Sequence, residues 1–279
     1  MGSIDELAKA NPLIRKLHQY LFMRGTTRID VVATFPEFAP ASRGSYRMLA
    51  PLTVQTITHL SSSFLDLAAR AHTIPEPVRV ENFAISHGPG DPEAISALFD
   101  HHGSDKTQNQ YSIAYAAMLK HPERVTKVME IGLGTNNRDV VSHMGLSGRP
   151  GASLRAFRDF LPGAMIYGAD IDARILFQEE RIRTVQVDQT DPVSFQVLGE
   201  EIGDDFDLMI DDGLHSIDAN FHSLAFFLDR LKPGGYAVVE DIPLVNERFW
   251  QLAALVLKER FECHIVRCRG SHIFVCRMM

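Results

Sequence analysis

The sequence predicts an α/β fold: a doubly wound, mostly parallel seven-stranded sheet with a terminal antiparallel hairpin, preceded by an N-terminal helical extension. Three observations carry this. From about Val125 onward, short apolar runs alternate with longer amphipathic ones, the pattern of parallel strands joined by crossover helices. Several apolar runs end in glycine or in acids, as strands do where they feed a ligand cleft. The last two runs are separated only by a few residues around Gly270-Ser271, too few for a crossover, so they must pair as a hairpin.

Taken in order, Asp5–Arg24 and Leu52–Ala71 have helical apolar spacing and flank a stretch broken by Pro36, Pro40 and Gly44. Pro75, Pro77, Gly88, Pro89 and Gly90 then punctuate the approach to the sheet. Residues 1–95 are therefore expected as a helical extension serving as a substrate cover or an oligomer surface, and residues 96–279 as the ligand-binding domain. The expected strands are Lys127–Gly132, Met165–Ala169, Arg183–Val187, Phe206–Ile210, Tyr236–Glu240, Glu262–Arg267 and His272–Arg277. Between them, Ser153–Phe160, Pro192–Ile202, Ser216–Leu231 and Asn246–Arg260 read as helices.

Composition narrows the function. With 28 Lys+Arg against 35 Asp+Glu the net charge is -7, which argues against nucleic acid and anionic membrane partners, because both are held by clustered cations. The 45% apolar content over 279 residues is enough for a substantial core. Only three cysteines occur, all within the last seventeen residues, which fits a reducing, cytoplasmic setting. The start Met1-Gly2-Ser3-Ile4-Asp5-Glu6 does not read as a signal peptide, and no apolar run reaches the ~18 residues of a membrane span.

The first strand runs into Glu130-Ile131-Gly132-Leu133-Gly134. Glycines after a buried strand let a ligand approach backbone N–H groups. The second strand ends in Asp170-Ile171-Asp172, where a doubly wound fold grips a ribose. A dinucleotide fingerprint would place a third glycine at Asn137 and its ribose acid about twenty residues on, and neither holds. S-adenosylmethionine has no pyrophosphate and does not need that glycine, so Glu130, Gly132, Gly134, Asp170 and Ile171 fit the methyl donor better. Asp188-Gln189 at the third strand tip could receive the adenine. Asp211, Asp212, Glu240 and Asp241 converge at the ends of two later strands without a neighbouring Lys or Arg in sequence, an oxygen-rich set suited to Mg²⁺ or another divalent cation. His215 stands beside them as a candidate general base.

These residues, in this order, resemble the S-adenosylmethionine-dependent sugar O-methyltransferases of macrolide biosynthesis, the mycinamicin and macrocin type. The resemblance runs from about Leu98 to Asp241. It rests on Gly103-Ser104-Asp105-Lys106, Tyr111, Met129-Glu130-Ile131-Gly132, Gly151–Phe157, Ile166–Asp172, Asp188-Gln189, Ile210–His215 and Glu240-Asp241. It implies a Rossmann-like methyltransferase fold, Asp212, Glu240 and Asp241 as metal ligands, His215 as base, and Glu130, Asp170 and Asp188 on the cofactor, with Asp211 and Gln189 beside them. The family pattern has Ser before the histidine where this chain has Leu214. The expected activity is O-methylation of a hydroxyl on a small natural product or sugar, by a homo-oligomer. N-methylation, nicotinamide-dependent oxidoreduction and a non-catalytic scaffold remain as alternatives.

Two other signals carry less. Cys263, Cys268, His272 and Cys276 suggest a zinc knuckle, but on adjacent strands Cys263 and Cys268 face opposite sides. His215, Asp218 and His222 share a helix face, yet the two histidines are two turns apart, about 10 Å of rise, too far for one ion.

Overall fold

A computed structural model describes residues 61–146 and 148–279; the expected helix Asp5–Arg24 and the first part of Leu52–Ala71, up to residue 60, lie outside the described residues, and 61–68 are helical. Ser63–Met279 form a compact unit. It opens with strand β1 (Val78–Arg79), helix α1 (Val80–His87), helix α2 (Pro92–His102) and helix α3 (Tyr111–Met118). Strand β2 (Lys127–Ile131), helix α4 (Ala152–Phe160), strand β3 (Met165–Asp170), and strands β4 (Gln178–Glu179) and β5 (Ile182–Gln186) follow. Then come helix α5 (Pro192–Ile202), strand β6 (Phe206–Asp211), helix α6 (Ile217–Leu228), strand β7 (Leu231–Ile242), helix α7 (Glu247–Leu257) and the hairpin of strands β8 (Phe261–Arg267) and β9 (His272–Met278).

The sheet order is β1-β8-β9-β7-β6-β2-β3-β5-β4. Its centre is parallel and β9 runs antiparallel between β7 and β8, as the short Gly270 connection requires. Two short strands, β1 and β4, flank the seven read from sequence. β1 pairs with β8, so residues that read as part of the N-terminal extension belong to the sheet unit. The helices α1 to α3 are not among the expected elements, and α1 lies within the Pro- and Gly-punctuated stretch. Yet α2 carries ordinary boundary signals: Asp91 accepts from Ala94 N–H, Pro92 opens the first turn, and Gly103 closes it with its N–H on Phe99 O.

The strands alternate between two cores. Val128, Ile166, Leu208, Val238 and Val275 face the layer of α1 to α4, with Phe83, Phe99, Tyr115 and Phe157. Met129, Ile131, Met209, Ala237 and Phe274 face α5 to α7, with Phe195, Phe227 and Trp250. Period-two patterning thus buries both faces of the sheet. The chain runs from β2 outward to β3 and then returns to β6 on the other side of β2, so the carboxyl ends of β2 and β6 form a topological switch point, where open α/β sheets bind ligands.

Candidate active site

A cavity of about 670 Å³ opens over these strand ends, within the size range of small-molecule sites. Gly132, Gly134, Asp170, Ile171, Asp188 and Gln189 all line it, as do Asp212, His215 and Asp241. Gly132 has φ 96° and a Cβ there would meet Asp212 O at 2.0 Å. Only glycine lets the β2 and β6 loops approach this closely.

On the β3 side, Asp170 Oδ2 accepts from Leu133 N–H at 2.7 Å and Oδ1 from Asp172 N–H at 2.9 Å. Burial raises the Asp170 carboxyl, partly offset by these amides. Asp172, which also lines the cavity, is held by Arg174, Thr135 and Asn137. Those hydrogen bonds, Arg174 first, keep it well below the usual carboxylate range. At the β5 end, Gln189 bridges loops: its Oε1 accepts from Leu214 N–H at 2.8 Å and its Nε2 donates to Asp211 Oδ1 at 2.8 Å.

On the β6 and β7 side the structure separates acids that adjoin in sequence. Asp211 and Asp212 fall on opposite sides of the β6 exit. Asp211 is fully buried, accepting from Gln189 and Asn220, while Asp212 reaches the cavity. In β7, Val239 pairs with Phe274 and Ile242 with His272, so Glu240 and Asp241 together oppose one residue in a β-bulge. Asp241 takes φ 51°, and the bulge sends Glu240 into the interior and Asp241 into the cavity. His215 also has φ 58°. Two non-glycine residues in the left-handed region side by side are a concentration of backbone strain of the kind found at functional sites.

Asp212, His215 and Asp241 bring one ligand atom each within 4.8 Å of one another, with His215 Nε2 4.0 Å from Asp241 Oδ2. Tyr111 donates its hydroxyl to Asp241. His215 Nδ1 is buried without a hydrogen-bond partner among the described residues. Asp212 and Asp241 offer two carboxylates that fit a divalent cation, with the His215 imidazole beside them.

Glu240, expected as a third metal ligand, stands apart from this set. It is 1% exposed, and its oxygens are taken by Lys106 Nζ at 2.5 Å and by the Tyr115 hydroxyl. Glu130 and Asp211, expected on the cofactor, likewise lie behind the cavity wall: Glu130 accepts from Ser153 Oγ at 2.5 Å and pairs with Lys106 at 3.0 Å. Lys106, from the turn Asp105–Thr107, is 1% exposed and also pairs with Asp212 at 2.8 Å. Burial alone would lower its ammonium, but Asp212, Glu130 and Glu240 outweigh that and hold it well above the ordinary lysine range. The site therefore depends on Lys106, Tyr111, Tyr115 and Asp172, to which the sequence reading gave no role. The sequence signals for them are the Gly103–Lys106 block, Tyr111 and the Asp170-Ile171-Asp172 strand end; Tyr115 has none.

Cys263 and Cys276 are cross-strand neighbours while Cys268 lies elsewhere, and His272 pairs with Glu247 at 2.8 Å. His222 Nδ1 binds Gln189 O at 3.0 Å. Among the described residues, no helix is long and apolar enough to cross a membrane.

No family model matches the chain. It is 32% identical over 177 residues to the 8-demethyl-8-alpha-L-rhamnosyl tetracenomycin-C 2'-O-methyltransferase of Streptomyces olivaceus, a match covering 62% of this chain and 44% of that protein. It is 37% identical over 117 residues to the mycinamicin VI 2''-O-methyltransferase of Micromonospora griseorubida, covering 42% of this chain and 27% of that one. The chain thus spans less than half the length of the curated relatives it matches. Among solved structures, the MycE methyltransferase of the mycinamicin pathway, bound to Mg and S-adenosylhomocysteine, superposes with a TM-score of 0.53 at 23% identity, covering 66% of this chain and 54% of that one. The chain accordingly has the Rossmann-like methyltransferase fold, and its central stretch is similar in sequence to antibiotic sugar O-methyltransferases.

Proposed function

We propose that this chain is an S-adenosylmethionine-dependent, metal-assisted O-methyltransferase acting on a hydroxyl of a sugar carried by a small natural product. The observation that carries the reading is the Asp212–His215–Asp241 cluster on the same cavity as Gly132, Asp170 and Asp188. A bound methyl donor would supply an activated methyl group, and a divalent ion held by Asp212 and Asp241 would make an acceptor hydroxyl more acidic.

The chain's own residues do the rest. Asp170, fixed by the Leu133 and Asp172 amides, and Asp188 orient the donor's ribose and adenine ends. Tyr111 holds Asp241 in place, and Lys106 holds Asp212. His215 receives the acceptor proton at Nε2, 4.0 Å from Asp241. The relatives' names mention rhamnosyl, macrocin and mycinamicin acceptors, which supports a glycosylated acceptor here.

The test combines His215→Ala with a panel of glycosylated acceptors, read by mass spectrometry for one added methylene. His215→Ala is expected to keep donor affinity while lowering turnover by about 10²–10⁴-fold, the usual contribution of a general base. Unchanged turnover removes that role, and full activity after chelation removes the metal.

A further inference from the structure

We infer that His87, Glu262 and His264 form a second, separate metal site that takes Zn²⁺ through two imidazoles and one carboxylate. His87 closes helix α1, while Glu262 and His264 lie two residues apart on β8 and so share one face of that strand. The three ligand atoms lie within 4.8 Å of one another. Glu262 Oε1 is 3.1 Å from His264 Nε2 and 3.7 Å from His87 Nε2. Ligands about 2.1 Å from a tetrahedral zinc stand about 3.4 Å apart, so the observed spacing needs little adjustment.

The second layer is in place as well. His87 Nδ1 lies 2.9 Å from Phe83 O and 3.0 Å from Ser86 Oγ, and the Ser86 hydroxyl itself donates to Phe83 O at 2.8 Å. Both neighbours of Nδ1 therefore act as acceptors, which puts a proton on Nδ1 and turns Nε2 toward Glu262. A backbone carbonyl on the non-ligating nitrogen is the usual way a metal-binding histidine is oriented. The His87 side chain is 8% exposed, stacked on Phe83 with ring centroids 4.1 Å apart, and His264 packs edge-on against both rings. A cation seated between these imidazoles and the Glu262 carboxylate would meet ligands already held in place by packing.

The charged neighbours leave room for it. Arg277 Nη1 sits 3.6 Å from Glu262 Oε2, leaving Oε1 to the imidazoles, and Lys120 Nζ is engaged by His87 O at 2.6 Å. Two imidazoles select zinc over Mg²⁺ and Ca²⁺, which take oxygen ligands. Glu262 is 42% exposed, so the fourth position is open to solvent. Bound metal would fasten α1 to the β8 strand near the sheet edge.

The test is Zn²⁺ titration of the chelator-stripped full chain, with Co²⁺ absorption as the coordination probe, in wild type, His264→Gln, Glu262→Gln and the double variant Asp212→Asn/Asp241→Asn. Disturbing an outer-shell partner typically costs about 10–100-fold in metal affinity, so losing a ligand is expected to weaken one Zn²⁺ equivalent by more than about 100-fold. His264→Gln and Glu262→Gln should each lose that equivalent and the tetrahedral Co²⁺ bands, while the double variant keeps both. Because Glu262 and His264 are partly exposed, circular dichroism is expected to show both single variants folded. Equal Zn²⁺ binding by wild type and His264→Gln overturns the proposal, as does loss of all Zn²⁺ binding in a folded double variant; the His87–Glu262 contact is then a plain imidazolium–carboxylate pair.

Discussion

Two sets of acids gather at the cavity from opposite sides of β2, some lining it and some buried behind its wall, and they are stabilised in different ways. At the β3 tip, Asp170 and Asp172 are met by dipoles and one surface cation: the Leu133 amide, Thr135, Asn137 and Arg174. At the β6 and β7 tips, Asp212, Glu240 and Asp241, with Glu130 beneath, are met by a fully buried ammonium and two tyrosines. The first set is satisfied by neutral donors and one exposed guanidinium and still presents acceptors to a ligand's hydroxyls. The second places three carboxylates, Glu130, Asp212 and Glu240, around one Lys106, with Asp241 beside them on Tyr111, a charge imbalance that a divalent ion would offset. Similar residues at similar strand ends are thus suited to orienting a ligand on one side and to holding a cation on the other.

Removing Lys106 should break the second set most severely. Lys106→Met leaves Glu130, Asp212 and Glu240 without their cation, and breaking a buried ion pair costs about 3–5 kcal/mol. Burial already raises the Glu130 and Glu240 carboxyls, and loss of the ammonium raises them further. With folded values above the unfolded ones, protonation favours the folded state. The variant should therefore approach wild-type stability near pH 4 and fall away as pH rises through the raised values. Urea denaturation at several pH values reads this; a loss below about 1 kcal/mol at pH 7 would mean that the acids are compensated without Lys106.

The contrast sharpens in kinetics. Asp241→Asn is expected to reduce kcat by about 100-fold or more with donor affinity unchanged, because the metal side contributes several kcal/mol to the step and little to donor binding. Asp170→Asn should do the reverse, weakening the donor by about 10–100-fold with kcat nearly intact, the value of a hydrogen bond to a charged group. Calorimetric donor binding beside steady-state rates separates them, and a kcat loss in Asp170→Asn as large as that of Asp241→Asn would collapse the distinction.

The fold was legible because both-face burial writes itself as apolar runs, and the hairpin because Gly270-Ser271 leaves no room for a crossover. The cavity residues at strand ends were legible for the same reason: Asp170, Asp188, Asp212, His215 and Asp241 all line it. What sequence could not show was which of two adjacent acids turns inward. Glu240 and Asp241 part at a bulge whose register depends on β9, a partner some thirty residues away in the chain. Lys106 was opaque for a related reason. A lysine in a Ser-Asp-Lys turn reads as exposed, and its burial is set by Glu130, Asp212 and Glu240, brought to it only by the folded sheet. His87 and His264 show the same limit, since sequence reading seeks metal ligands at short spacing.

The smallest effect is expected at Asp172, where the β3 set can be tested without a ligand. Its hydrogen bonds to Arg174, Thr135 and Asn137 hold the folded carboxyl below the unfolded value of about 3.9. A depressed carboxyl contributes stability that is present above that unfolded value and is lost as pH falls through the folded one. Asp172→Asn keeps an acceptor for Thr135 and Asn137 at Oδ2 but removes the charge and the Oδ1 acceptor that Arg174 uses, so it tests the Arg174 side of the network. The variant should be modestly less stable than wild type at pH 7, and the two should converge as pH drops below about 3.9. Arg174 is half exposed and also serves Asp139, so salt should shrink the difference at pH 7 as well. Paired thermal melts at pH 7 and pH 3, with and without added salt, measure this; a gap that persists unchanged at pH 3 would place the role of Asp172 in the shape of its hydrogen-bond network, not in its charge.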